Sequence, residues 1–99
     1  MFARTVTVRL KSNAVADFNR ALENEIIPIL RKQRGFQDEL TLVTPDGKEA
    51  IGISLWDTEE NMKASEERVA AARQRTADQV GATGSPQVTL YELPIFETS

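Results

Sequence analysis

The chain has 99 residues, 12 Lys and Arg against 15 Asp and Glu, and neither cysteine nor histidine. That length predicts one domain, residues 1–99, able to bury roughly two-thirds of its unfolded surface without covalent staples. The missing residue types exclude disulfides, a thiolate nucleophile, imidazole-ligated zinc, a Ser-His-Asp triad and a histidine-held haem. The net charge of −3 argues against nucleic acid or an anionic membrane as partner. No apolar run approaches a membrane span and no secretory h-region opens the chain, so a cytoplasmic location is the expectation.

Phe2 to Leu10 alternates Val6, Val8 and Leu10 against Thr5, Thr7 and Arg9, which predicts a strand. Ser12 or Asn13 can cap the helix that follows. Val15, Phe18, Leu22, Ile26 and Ile29 then recur at helical steps. Pro28 interrupts that helix, where a lost backbone bond costs about 3 kcal/mol and predicts a kink or break. Arg31, Lys32 and Arg34 crowd the helix end, and Gly35 suits the position after it.

Gly35 to Trp56 reads as a hairpin around Pro45-Asp46-Gly47, a three-residue loop flanked by Thr44 and Lys48. That register puts Phe36, Leu40, Leu42, Ala50, Gly52, Ser54 and Trp56 on one face, with Asp38 opposite Ser54. Thr41, Val43, Ile51, Ile53 and Leu55 occupy the other face. Asp57 or Thr58 caps a second helix running to about Gln79, and Asp57 with Glu60 resembles a capping box. Its stripe is thin: Met62, Ser65, Val69, Ala72 with its neighbour Arg73, Thr76 and Val80. Val80 to Pro86 reads as a loop and Gln87 to Leu93 as the last strand, leaving Ile95 and Phe96 on a tail.

The order β-α-β-β-α-β predicts an α+β, ferredoxin-like domain: a four-stranded antiparallel sheet with both helices on one face. The uncovered face still carries Val43, Ile51, Ile53 and Leu55, so a homodimer through that face is expected.

The segment RGFQDELTLVTPDGKEAIGISLWDTEENMKASE resembles the central signature of the antibiotic biosynthesis monooxygenase superfamily, which forms dimeric α+β barrels. Gly35-Phe36 after a helix, a strand ending in Ser54-Leu55-Trp56, and a helix opened by Asp57-Thr58-Glu59-Glu60 carry the resemblance, and Pro28 fits it. The resemblance implies a cofactor-independent monooxygenase acting on a small aromatic or quinol-type molecule, with Trp56 as the catalytic pocket residue. Those enzymes have an asparagine where this chain has Gly52 and a tyrosine where it has Met62, and Arg75 corresponds loosely to a helix arginine. Haem-degrading members need an axial histidine that this chain lacks, and have a strand-one asparagine where Arg4 or Thr5 stands.

The expected pocket lies beside Trp56, over the small residues Gly52 and Ser54 and under Phe18, Leu22 and Met62, with Tyr91 or Arg9 at its edge; the resemblance adds Arg75 to it. A flat apolar or aromatic ligand can stack there; core packing of the tryptophan is the competing reading. Asp38 beside Ser54 is a candidate base, against a solvated strand-end carboxylate. Glu59, Glu60, Glu66 and Glu67 read as a solvated helix face rather than metal ligands, so no metal site is expected. The alternative function is a noncatalytic dimeric module that binds a small molecule or serves in stress.

Overall fold

The computed structural model describes residues 1–99. The elements are β1 (Phe2–Arg9), α1 (Val15–Ala21), a π-helical turn (Leu22–Ile26), α2 (Ile27–Arg31), β2 (Phe36–Val43), β3 (Glu49–Trp56), α3 (Glu59–Gln79) and β4 (Thr83–Glu92). The strands form one antiparallel sheet in the order β2-β3-β1-β4. This is the expected ferredoxin-like arrangement.

At Pro28 the first helix departs from α geometry without ending: a π-helical turn separates α1 from α2. The backbone widens just before the proline: Ile27 donates its N–H to the carbonyl of Leu22, five residues back. A π turn of this kind absorbs the bond that proline cannot make and lets the helix run on. The helix begins with Ala14 at its N-cap and no side-chain cap. Asn13, left-handed at φ 64°, lies outside the cap position, so neither expected residue caps this end. In α3, Thr58 is the N-cap, and its Oγ1 accepts from the Asn61 amide at 3.1 Å. Asp57 pairs with the Asn61 side-chain amide at 3.0 Å, not with Glu60.

The hairpin register differs from the sequence expectation by one residue, and the reason is local. Asp46 Oδ1 accepts from the Lys48 amide at 3.0 Å and from the Thr44 hydroxyl at 2.7 Å. That Asx-type turn satisfies Lys48 inside the loop. The ladder therefore starts one residue later, with the Thr44 amide donating to the Glu49 carbonyl at 2.9 Å. Val43 now faces Ala50, Thr41 faces Gly52 and Glu39 faces Ser54. A bulge between Phe36 and Asp38 restores the Phe36–Trp56 pair.

Each side chain of β2 from Asp38 to Val43 thereby sits on the face opposite to expectation. Leu40 and Leu42 join Ile51 and Ile53 on the uncovered face, where they are 44% and 52% exposed. Val43, expected at the dimer interface, packs instead against the core of Val8, Leu10, Ala14, Phe18 and Ala50. Leu55 lies on the uncovered face but is already buried within one chain.

The last strand is longer than expected. Thr83–Pro86 belongs to β4, joined through a bulge between Thr7 and Arg9 of β1, and Gly84 (φ 75°) takes up the turn. An edge strand with a bulge tolerates Pro86, which donates no ladder bond.

Two apolar clusters fill the space between helices and sheet. One holds Ile26, Leu30, Trp56, Met62, Val69 and Ala72; the other surrounds Phe18 and Ala50.

Candidate functional site

A cavity of about 60 Å³ lies where the two clusters meet, roughly four to six times the space that one enclosed water needs. β1 and β3 form its floor with Arg4, Val6, Val8, Gly52 and Ser54. Phe18, Leu22, Ile26 and Leu30 come from the first helical stretch, and Val69, Arg73, Thr76 and Ala77 from α3. Glu39 enters from β2. The lining is mostly apolar with a few polar groups, the usual composition of a small-molecule site.

Arg4 is the unusual residue. It lies on β1 at the same parity as Val6 and Val8 and is only 2% exposed. Its guanidinium stacks over the Trp56 ring at 5.2 Å. Nη1 donates to Ser65 Oγ at 2.9 Å, the Met62 carbonyl at 3.2 Å and Glu66 Oε1 at 3.3 Å. Nη2 is buried with no partner. Burial brings the Arg4 pKa down to about 10, with Glu66 pulling it up and Arg73 pushing it further down.

Glu66 joins the two arginines. Arg73 grips it in a fork, Nη1 to Oε2 at 2.8 Å and Nη2 to Oε1 at 2.9 Å. That grip, followed by the charges of Arg73 and Arg4, holds the Glu66 carboxyl below the usual carboxylate range despite partial burial.

Glu39 sits across the floor. A β-carbon placed on Gly52 would lie 3.8 Å from Glu39 Oε1, so the carboxylate stands over the glycine. Thr41, next on the same face, donates its hydroxyl to Oε1 at 2.7 Å. Burial pushes the Glu39 carboxyl above its usual range, and the Thr41 hydroxyl partly offsets this.

Of the residues expected at the pocket, Phe18, Leu22, Gly52 and Ser54 do line the cavity. Trp56 and Met62 do not; both are core residues, and Trp56 is 0% exposed. The indole donates to Ser54 Oγ at 2.8 Å and meets Phe36 edge to face. Arg75 is exposed, about 200° around α3 from Arg73, which takes the wall position instead. Tyr91 pairs with Ala3, whose side chain alternates away from that of Arg4, so it faces away from the helices and is 51% exposed. Asp38 pairs with Leu55 on the uncovered face, and Glu39 takes the place expected for it opposite Ser54.

Arg4, Glu39 and Arg73 were not among the expected site residues. Arg4 left a signal: a charge at the inward parity of an otherwise apolar strand face. Glu39 left none, because its face depends on the register.

No group of three or more acidic side chains is placed to hold a metal ion, and no helix is long and apolar enough to cross a membrane. No family model matches the sequence. The uncharacterized proteins Rv2557 and MT2634 of Mycobacterium tuberculosis are 29% identical over 93 residues, which are 94% of this chain and 41% of theirs. The chain thus spans about two-fifths of the length of the curated relatives it matches.

Solved structures are similar over nearly the whole chain. A Streptomyces coelicolor monooxygenase in complex with nanaomycin D superposes with a TM-score of 0.80 at 16% identity, covering 99% of this chain and 92% of that one. A Deinococcus radiodurans protein assigned to the antibiotic biosynthesis monooxygenases gives 0.76 at 16% identity, covering 100% and 98%. SnoaB of Streptomyces nogalater, a cofactor-independent oxygenase, gives 0.73 at 11% identity, covering 96% and 94%. Similarity of backbone at such low identity speaks for architecture, and by architecture this chain has the fold of the antibiotic biosynthesis monooxygenase superfamily.

Proposed function

We propose that the cavity binds a small phenolic or quinol-type aromatic as its anion and supports its oxidation by dioxygen without a bound cofactor. One observation carries this reading: a buried arginine with an unpartnered donor, Arg4 Nη2, at the wall of an apolar cavity. An unsatisfied buried donor costs about 1–3 kcal/mol, which a ligand oxygen would recover. The Trp56 ring and the Ser65 hydroxyl hold the guanidinium in place, so Trp56 acts as a positioning residue behind it.

In this reading the phenolate supplies electrons to dioxygen. At an activated ring CH2 group two C–H bonds break and a C=O bond forms with one oxygen atom. The other oxygen leaves as water with the two hydrogens. The chain contributes a dry, shaped space and a fixed positive charge for the anion. The nanaomycin-bound monooxygenase and the cofactor-independent oxygenase share this fold, which supports the reaction class.

Dioxygen uptake with an anthrone-type substrate tests the proposal. Arg4→Met should lower the rate by about a hundredfold, as loss of one anion-stabilising donor does elsewhere, with the helical circular-dichroism signal kept. An unchanged rate would overturn the role of Arg4. The small cavity volume favours a second reading, binding without turnover. Its signature is saturable phenol binding with no oxygen consumed.

We also propose that two copies pair through the uncovered sheet face, where Leu40–Ile53 and Leu42–Ile51 form adjacent cross-strand pairs. Such a patch on one chain is self-complementary about a two-fold axis. Ile95 and Phe96, exposed beyond β4, extend the apolar surface available to the partner. Sedimentation should give a dimer at micromolar concentration, weakened by truncation after Pro94.

A further inference from the structure

The anion that Arg4 would hold must lose its proton somewhere, and the cavity contains one unused acceptor. We propose that Glu39 is that acceptor: it takes the hydroxyl proton of a neutral phenolic ligand, which then stays in the cavity as a phenolate. This rests on the functional reading above and adds that the ligand enters as the neutral phenol.

The geometry places the group. Glu39 crosses from β2 to stand over Gly52, and a larger residue at position 52 would contest that space. Thr41 Oγ1 bonds Oε1 at 2.7 Å and Oε2 at 3.2 Å, which fixes the carboxylate. Ser54, opposite Glu39 on β3, accepts the indole N–H and so has its own hydroxyl proton to orient the ligand oxygen.

The other carboxylates near the cavity are committed. Glu66 on α3 is gripped by Arg73 and shared with Arg4. Glu25, from the π turn, accepts from the Thr76 hydroxyl at 3.4 Å. The charged groups that line the cavity with Glu39 are Arg4 from β1 and Arg73 from α3; Glu66 adjoins it only through those arginines and Glu25 only through Thr76.

The step balances without a co-reactant. The phenol O–H bond breaks, a carboxyl O–H bond forms on Glu39, and one negative charge moves from Glu39 to the ligand oxygen. The net charge of the cavity does not change, so no uncompensated charge is created in a low-dielectric space. Partial burial already raises the affinity of Glu39 for a proton, which brings donor and acceptor closer in strength.

The probe is 4-nitrophenol, whose ionised form is coloured. At about one pH unit below the ionisation midpoint of the free probe, the wild type should bind it mostly as phenolate. With Glu39→Gln the phenolate complex can form only by giving its proton to the medium, so proton release to a weak buffer on binding should rise from almost none in the wild type to about one per bound phenolate. Thr41→Val should move the pH midpoint of ionisation of the bound probe downward, because losing the bond that lowers the Glu39 pKa makes Glu39 the stronger proton acceptor; a purely structural role would leave that midpoint in place. Equal proton release by wild type and Glu39→Gln would overturn the assignment of Glu39 while leaving the binding reading intact. No binding of the probe by the wild type would overturn both.

Discussion

The two faces of the sheet are built from the same four strands and end differently. On the helix side, Val8, Ala50, Trp56 and Met62 are enclosed, and even a guanidinium is buried, with its Nη1 bonded to Ser65, Glu66 and a carbonyl. On the other side, Leu40 and Leu42 remain open beside Ile51 and Ile53. The enclosed face is completed by residues of the same chain. The open face is apolar for the same reason of alternation; Ala3 and Leu55 are covered there within the chain, while Leu40 and Leu42 stay exposed. A sheet apolar on both sides encloses a cavity on one and leaves, on the other, the face proposed for self-association.

The largest expected effect tests the enclosed face. Trp56→Ala removes the aromatic that supports Arg4 and fills one cluster, and should cost about 3–5 kcal/mol in urea unfolding. A loss below about 1 kcal/mol would mean that the face is not held together at this point. Gly35→Ala should come next, at about 1–3 kcal/mol. Gly35 has φ 82°, and a β-carbon there would collide with the Asp57 carboxylate and the Asn61 side chain that tie β3 to α3.

Leu42→Glu addresses the open face and should separate the two. The stability of one chain should change by no more than about 0.5 kcal/mol, as at other exposed positions. Self-association, read by sedimentation, should weaken at least about tenfold. Equal association would remove β2 from the contact.

The smallest effect is a pH dependence on the enclosed face. The Glu39 carboxyl is raised by burial, so its contribution to stability is fully present below the unfolded pKa and is lost as pH rises through the folded value. Glu66 is lowered, first by its bond to Arg73, so its contribution is present above the unfolded value and is lost as pH falls through the folded one. Glu39→Gln should therefore gain stability relative to wild type from mildly acidic to neutral pH and converge with it in acid. Unfolding curves taken across that range would show a constant difference if Glu39 were solvated.

The sequence made the architecture legible because each element carries a strong period: Val6-Val8-Leu10 at two, Phe18-Leu22-Ile26 at three and four. It left the site half legible. Gly52 and Ser54 were readable because β3 is central and its parity is anchored by Trp56. Glu39 was not, since one aspartate in the turn decides whether Asp38 or Glu39 points inward. Arg4 is readable in principle, as a charge at the inward parity of an apolar strand. Tyr91 and Arg75 lie elsewhere for a different reason: chemistry suggests the one and the resemblance the other, while the phase of strand and helix points both away from the cavity.

The widened turn before Pro28 carries one more consequence. Leu22 opens it and Ile26 closes it, and both roof the cavity. The ceiling is thus one residue looser than a regular helix would make it. Excising a single residue between them would tighten the coil and swing the downstream side chains by about 100°. One imino acid, through the proton it lacks, accompanies the headroom left for a guest.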